Sequence, residues 1–429
     1  MVKSTGRVAQ GRQMRILHLV HQYLPEHVGG TELYTSWLAG ALSQRGHDVA
    51  VFCRRSAEPK AFSQRTDENN VQVWTVTAGV ITPHNRFLTT FGQGYILDVF
   101  RRVVTQSRPD LVHIQHLQGL PVALVREIQE WRIPFVITLH DYWWFCANAQ
   151  LLTNYSRLIC NGPQAHLNCA RCAIARADQL LLWPALPALA GLLTYRNFLL
   201  GRVLRAAHQL IAPTDFVRDL YAAHGAPPER LQVIPHGLPL LRTNTRRTRQ
   251  PANPIRFAYI GGLSWQKGVH VLLKAFEGLE KDAELWVAGD ETADPAYASS
   301  LRQLAPSGVS FLGDLTRQKV WETLAQIDVL IVPSLWYETF VFVVSEAFAA
   351  GIPVVASRLG PLADRIHDGI NGLLVPPNDS EILHQTLSHL IQHPDLLSQL
   401  GDGIGPVETI ETHVTKLEAV YDTVLGEGS

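Results

Sequence analysis

Several things are missing from this sequence, and each absence removes a class of protein. No run of about 18 apolar residues occurs, so no helix is expected to cross a bilayer. The most apolar stretch, LLLWPALPALAGLL at 180–193, is interrupted by Pro184, Pro187 and Gly191. The polar start, MVKSTGRVAQGRQ, and the short apolar run at 16–20 do not make a secretory signal. A cytoplasmic location is therefore expected, with peripheral contact at the inner membrane face left open. Neither sign of charge dominates: 37 Lys and Arg face 38 Asp and Glu, a net charge of −1. That leaves no global basic field for nucleic acid. G-x-G-x-x-G is absent, and the second expected strand runs into Cys53, Arg54 and Arg55 instead of a ribose-holding acid. Both features argue against a nicotinamide enzyme. Short-period repeats and low-complexity tracts are also missing.

What is present reads as globular: 46% apolar and 17% charged residues. At 429 residues the chain exceeds what one core organises, so two domains are expected. In the first half, short β-rich runs at 15–20, 48–53, 71–76, 110–117, 134–141, 209–214 and 231–235 alternate with helical segments such as 31–46 and 121–131. The polar, basic stretch at 240–254 reads as a linker. Strands start afresh at 255–262, 283–290, 308–314, 328–334, 353–357 and 372–376. The pattern predicts an α/β fold with domains at 14–240 and 254–405, joined by a linker at 241–253. A helix at 406–429 is expected to pack back on the first domain. Two doubly wound domains facing each other place a cleft at the carboxyl ends of both sheets.

Three glycine-bearing turns point at that cleft. In HVGGTELY (27–34), Gly29 and Gly30 allow close backbone approach and Thr31 can cap the next helix, although paired glycines also simply make turns. In YIGGLSWQKG (259–268), Gly261 and Gly262 end a strand and Lys267 opens a helix. A lysine there opposes the helix dipole, so it needs an anion or free solvent. In PSLWYETFVFVVSEAFAAG (333–351), Glu338 is expected in the loop after a strand and Glu346 in the early turns of the next helix. Helix N-termini suit a diphosphate, while carboxylates suit sugar or ribose hydroxyls.

With VGGTE (28–32), TLHDYW (138–143), IAPT (211–214), IGGLSWQKG (260–268), the segment 333–357 and DGINGLLVPPND (368–379), the chain resembles the family 4 glycosyltransferases. The resemblance implies a GT-B fold: two Rossmann-like domains facing a central cleft, acceptor side first and nucleotide-sugar side second. It implies retaining transfer from a nucleotide-diphosphate sugar to a glycan or lipid-linked acceptor, with no metal or other cofactor required for catalysis. By the same resemblance Glu338 contacts the donor sugar, Glu346 the ribose and Lys267 the diphosphate. His140 stands beside the transferred sugar, Gly30 lines the reaction centre, Gly29 and Gly262 join it in binding the donor, and main-chain amides near Phe340, Val341 and Phe342 face the donor. Thr31, Asp141, Trp143 and Gln118 fall on the acceptor side. Three positions depart from the family pattern. Gly262 stands where Arg is frequent, Val341 replaces a glycine, and Pro361 in GPLAD (360–364) removes an amide donor. A degenerate nucleotide-sugar or glycan-binding protein, or another GT-B enzyme such as a sugar-nucleotide epimerase, remain the alternatives.

Residues 142–208 leave the alternating rhythm. Five cysteines occur in all, and Cys146, Cys160, Cys169 and Cys172 lie together here. One reading is a structural zinc braced by the C-x-x-C pair, with His166 as a substitute ligand; the other is free thiols. Residues 180–200 read either as core or as a surface touching a lipid-linked acceptor. Trp143 and Trp144 either stack an acceptor sugar or pack inside. His113 and His116, three apart in an expected strand, would face opposite ways, so a metal pair is not expected.

Overall fold

The computed structural model describes residues 12–178, 180–240, 253–292 and 294–427; most of the expected linker, 241–252, lies outside them. Two sheets form. The first comprises β1 (Arg15–Leu19), β2 (Asp48–Arg55), β3 (Ala57–Thr66), β4 (Gln72–Gly79), β5 (Leu111–Ile114), β6 (Phe135–Thr138), β7 (Gln209–Ala212) and β8 (Leu231–Val233), in the order β3-β4-β2-β1-β5-β6-β7-β8. The second comprises β9 (Ile255–Ile260), β10 (Ala283–Ala288), β11 (Val309–Gly313), β12 (Val329–Val332), β13 (Val354–Ser357) and β14 (Gly372–Val375), in the order β11-β10-β9-β12-β13-β14. All pairings are parallel except β3 with β4. In each sheet the strand order reverses at its first strand, where α/β folds open a crevice.

The central strands are short apolar runs because both of their faces are covered. Every residue of β5, β6, β12 and β13 is buried. Alternation then sorts side chains between two cores. Leu17, Ala50, Phe52 and Val112 join one, while Ile16, Val49, Val51 and Leu111 join the other. The edge strand β3 was not expected. Its sequence, AEPKAFSQRT, has little β pattern, and it survives as an antiparallel edge with Phe62 stacked 5.4 Å from Trp74.

Strand β5 ends at Ile114, so His116 lies beyond it and the opposite-face argument does not apply to that residue. His113 is packed inside, bonded to Tyr421 Oη and Thr138 Oγ1 at 2.7 Å each. The terminal helix, Ile410–Glu427, lies along the first helix, Gly30–Gln44. Val414, Leu417, Tyr421 and Val424 bury into the core shared with Ile16 and Val51. At roughly 1.5–3 kcal/mol per buried side chain, as an upper bound, this contact couples the two ends of the chain firmly. Arg45 grips Glu418 at 2.7 and 2.6 Å, and Tyr34 Oη meets His413 Nε2 at 2.8 Å. Backbone bonds run from Leu238 N to Glu408 O and from Ile410 N to Leu238 O. Gly237 is needed there because an added Cβ would stand 2.5 Å from His413 Cβ and 2.6 Å from Thr409 O.

Candidate active site

The second domain contributes two buried carboxylates. Glu338 lies in the loop after β12, only 6% exposed. Its Oε1 accepts from Lys267 Nζ at 2.8 Å, Ser334 Oγ at 2.7 Å and Trp336 Nε1 at 2.9 Å, while Oε2 accepts from Lys267 at 3.0 Å. Lys267 closes the short turn Trp265–Lys267. Gly268 anchors that turn: its φ is +74°, and an added Cβ would lie 1.9 Å from Pro333 O. No other residue type brings the lysine this close to the end of β12.

Glu346 occupies the second turn of the helix Phe342–Ala349 and is fully buried. It pairs with Arg317, whose guanidinium lies 5.2 Å from the Trp37 ring across the cleft. Burial pulls Arg317 down to about 10. The helix has no side-chain cap; Val341 is its N-cap, with φ −94° and ψ 99°. That ordinary conformation carries a valine without strain, so the expected restriction at this position does not arise. Gly262 has no atom within 4 Å of an added Cβ. Pro361 sits at the first position of the helix Pro361–Arg365, where a missing N–H breaks no intrahelical bond.

The first domain faces these groups with neutral imidazoles. His140 Nε2 meets Gln115 Oε1 at 2.9 Å, and Gln115 Nε2 reaches His18 Nδ1 at 3.1 Å. Burial lowers His140 and His18 to about 3. The two domains touch here: Thr339 Oγ1 donates to His140 O at 2.6 Å, and Tyr142 Oη to Glu338 O at 3.0 Å. Phe340 and Phe342 enclose His236, and Phe342 also lies beneath Gly30.

Gly29, not Thr31, is the N-cap of the first helix. Thr31 falls in the first turn, where its carbonyl accepts from Thr35 Oγ1. Asp141 accepts from the Trp143 amide and meets His116 Nε2 at 3.1 Å. Burial alone would raise its carboxyl, but His116 and the amide hold it below the usual carboxylate range. Gln118 is half-buried, its amide donating to His116 Nδ1. Trp143 is 3% exposed beneath the Arg196 guanidinium, and Trp144 is buried too, so packing and not sugar stacking describes both.

Beyond the larger effect of burial, Cys146, Cys160 and Cys172 all lie near enough to Cys169 to raise its thiol electrostatically. Among the described residues no group of three or more His, Cys, Asp or Glu is placed to hold a metal ion. Cys172 Sγ instead accepts from Asn154, Cys160 Sγ from Asn168, and His166 is bonded to Thr194 and Asn197. Burial pushes the Cys169 thiol up to about 12. Asparagines brace the excursion: Asn197 Nδ2 donates to Phe145 O and Asn168 Nδ2 to Gly162 O, both at 2.7 Å.

Three residues escaped the sequence reading. Glu32, within VGGTE, is 2% exposed, and its Oε1 lies 3.2 Å from His21 Nε2 without an aligned hydrogen bond. Burial raises its carboxyl. Its place in a glycine turn was the available signal. Arg365 donates to Val341 O at 2.9 Å and to Ser345 Oγ, and its guanidinium lies 4.0 Å from the Phe340 ring. Burial lowers it to about 9. Among the described residues it has no carboxylate partner within 4.0 Å, and neither it nor Arg317 belongs to a motif that would have singled it out.

Family models match both halves of this chain. A model for Glycosyltransferase Family 4 matches residues 28–242, half of its length, and one for Glycosyl transferases group 1 matches residues 254–393. The chain belongs to glycosyltransferase family 4. This glycosyltransferase is similar to the D-inositol 3-phosphate glycosyltransferase of Xylanimonas cellulosilytica, at 26% identity over 403 residues, covering 87% of this chain and 86% of that one. It is similar to the glycogen synthase of Mycobacterium tuberculosis at 24% over 387 residues, 89% and 87% of the two chains. Among solved structures, sucrose-phosphate synthase from Thermosynechococcus elongatus superposes with a TM-score of 0.72 at 17% identity, covering 97% of this chain and 100% of that one. The Anabaena protein HepE, in complex with UDP and glucose, gives 0.67 at 19%, covering 96% and 100%. The glycosyltransferase therefore has the GT-B fold. No helix among its described residues is long and apolar enough to cross a membrane.

Proposed function

We propose that this glycosyltransferase moves a hexose from a nucleotide-diphosphate sugar to a glycan or lipid-linked acceptor, with retention of configuration and without a catalytic metal. The carrying observation is the buried Glu338 carboxylate, held by Lys267, Ser334 and Trp336 directly opposite the His140 loop. A carboxylate fixed in this way is a preorganised acceptor for donor-sugar hydroxyls. Lys267 lies beside it to receive the diphosphate, and the uncapped start of the helix Phe342–Ala349 adds amides. Arg365 approaches the same helix start and supplies a second cation, compensating for Gly262. Glu346 takes the ribose hydroxyls, for which Arg317 is the standing competitor. Beside Arg317 a cavity of ≈ 910 Å³ opens between His27 and Val28 on one side and Asp290 and Asp314 on the other, large enough for the base.

In this reading the acceptor hydroxyl attacks the anomeric carbon from the face the diphosphate leaves. A departing phosphate oxygen takes the hydroxyl proton, while Lys267, Arg365 and the helix amides stabilise the charge left on the diphosphate. His140, neutral at pH 7, acts as a hydrogen-bonding wall and not as a cation. HepE is a structural relative bound to UDP and glucose, which makes a UDP-sugar the first donor to try. The setting proposed is cytoplasmic glycan assembly, with contact at the inner membrane face. A thermal-shift screen against UDP, GDP, ADP and TDP identifies the base, and nucleotide release from the matching sugar donor tests transfer. Binding without nucleotide release, for every acceptor extract tried, refutes the transferase reading.

A further inference from the structure

Residues 142–208 carry six arginines and a single acid, Asp178, in a chain whose overall charge is −1. The remainder is thus net acidic, and this excursion is a basic region of the chain, as is the stretch 240–254. Of the nineteen arginines elsewhere in the described chain, ten have a carboxylate within 4.0 Å. Among the described residues Arg157, Arg171, Arg176, Arg202 and Arg205 have none. Arg157, Arg171 and Arg202 lie over the rings of Trp265, Tyr155 and Phe198, and Arg176 donates to Asn148. All these partners are neutral, so the positive charge of these arginines is left for an anion from outside.

The same region concentrates exposed apolar side chains. Of seventeen large hydrophobic residues exposed in the described chain, eight lie between 155 and 198. The helix Leu186–Ala206 shows how they are displayed. Ala190, Leu193, Arg196, Leu200 and Val203 are buried on its inner side. Leu192, Tyr195, Phe198, Arg202 and Arg205, also spaced by three or four, form an outer stripe that passes from apolar to cationic. Trp183, 47% exposed, extends it through the preceding turn, Leu180–Ala185. Alongside runs a groove of ≈ 610 Å³ lined by Tyr195, Leu199, Val203, Arg202, Arg205 and Arg126, the last of which is ion-paired with Glu130.

We propose that this face docks the protein onto a bilayer containing anionic phospholipid, with Trp183, Leu192, Tyr195 and Phe198 entering the headgroup–acyl boundary. The unpaired arginines then meet lipid phosphates. Charge complementarity selects this occupant: an apolar stripe continued by Arg202 and Arg205, neither of them paired with a carboxylate, matches a surface that is apolar inside and negative at its rim. Trp and Tyr suit that boundary because each carries a polar tip on an apolar ring. The helix lies on the membrane and does not span it. Because the excursion begins directly after His140 and Asp141, docking brings the first domain's side of the cleft towards the lipid.

The test is co-sedimentation of the full chain with vesicles of phosphatidylglycerol and phosphatidylethanolamine, against phosphatidylcholine alone. Binding to the anionic vesicles and not to phosphatidylcholine is expected, weakening as salt is raised from about 0.05 to 0.5 M. W183S/F198S and R202E/R205E should each cut the partition coefficient by about tenfold or more. Circular dichroism and the nucleotide thermal shift should stay unchanged, since these residues lie outside the cleft. Wild type that ignores anionic vesicles, or variants that bind them equally well, overturns the proposal. So does a stable self-complex or protein complex that the variants disrupt while vesicle binding is absent. The assay needs no sugar donor, so it stands or falls separately from the transferase reading.

Discussion

The two rims of the cleft solve one problem with opposite chemistry. On the second domain, buried carboxylates are paired with half-buried cations: Glu338 with Lys267, Glu346 with Arg317. On the first, His18, His113, His140 and His236 are buried and held neutral by desolvation. A fixed ion pair can be shared with a charged ligand, which suits a diphosphate and ribose. Neutral imidazoles and a lone amide chain offer hydrogen bonds without attracting counter-ions, which suits an uncharged hydroxyl. The difference implies that acid acts on the imidazole rim through stability, since its histidines stay neutral in the fold and take up protons on unfolding.

The largest expected effect is on the charged rim. Glu338→Gln should lower the rate of nucleotide release by roughly 10²–10³-fold, and Lys267→Ala by a similar factor, measured as kcat under saturating donor. If the activity of either variant stays within threefold of wild type, the charged rim is not where transfer occurs. Acid should expose the neutral rim next. His18 and His140 fall to about 3 in the fold and His413 to about 4, against about 6.5 unfolded. Folded values below the unfolded one mean that the unfolded chain binds more protons as pH falls. Stability present above about pH 6.5 is thus lost on the way down, by about 1.4 kcal/mol per pH unit for each histidine until its folded value is reached. Urea unfolding between pH 7 and 5 should show a steep decline, and a flat profile would contradict the buried neutral state. Arg365→Ala should weaken the nucleotide diphosphate about tenfold in a thermal-shift titration, given the modest yield of one charge-assisted bond. The smallest effect should come from Val341→Gly. It removes no needed interaction, so activity should stay within about twofold while stability drops by about 0.5–1 kcal/mol.

Much of this architecture was legible in the sequence, because buried parallel strands announce themselves as apolar runs such as LVHI and VLIV. Glu338, Lys267 and Glu346 were legible for another reason: acids and a lysine inside apolar or glycine-rich turns have few structural uses. The rest depended on partners distant in the chain. Nothing local marks AEPKAFSQRT as a strand until β4 offers it an edge. Trp143 reads as a sugar platform until Arg196, 53 residues later, covers it. Thr31 looks like a cap, yet the helix begins one residue earlier, so Gly29 takes that place. Arg317 and Arg365 gain meaning only from where their helices bring them.

The seam at Gly237 has a mechanical consequence. The chain leaving the first domain at Leu238 and the chain returning at Glu408 and Ile410 are hydrogen-bonded to each other. Both crossings are therefore tied together at one place, so a rotation of one half against the other loads this seam. A small rotation there is magnified at the far lip of the cleft, so Gly237→Ala, by wedging the seam, would set the aperture without touching any group that meets the substrate.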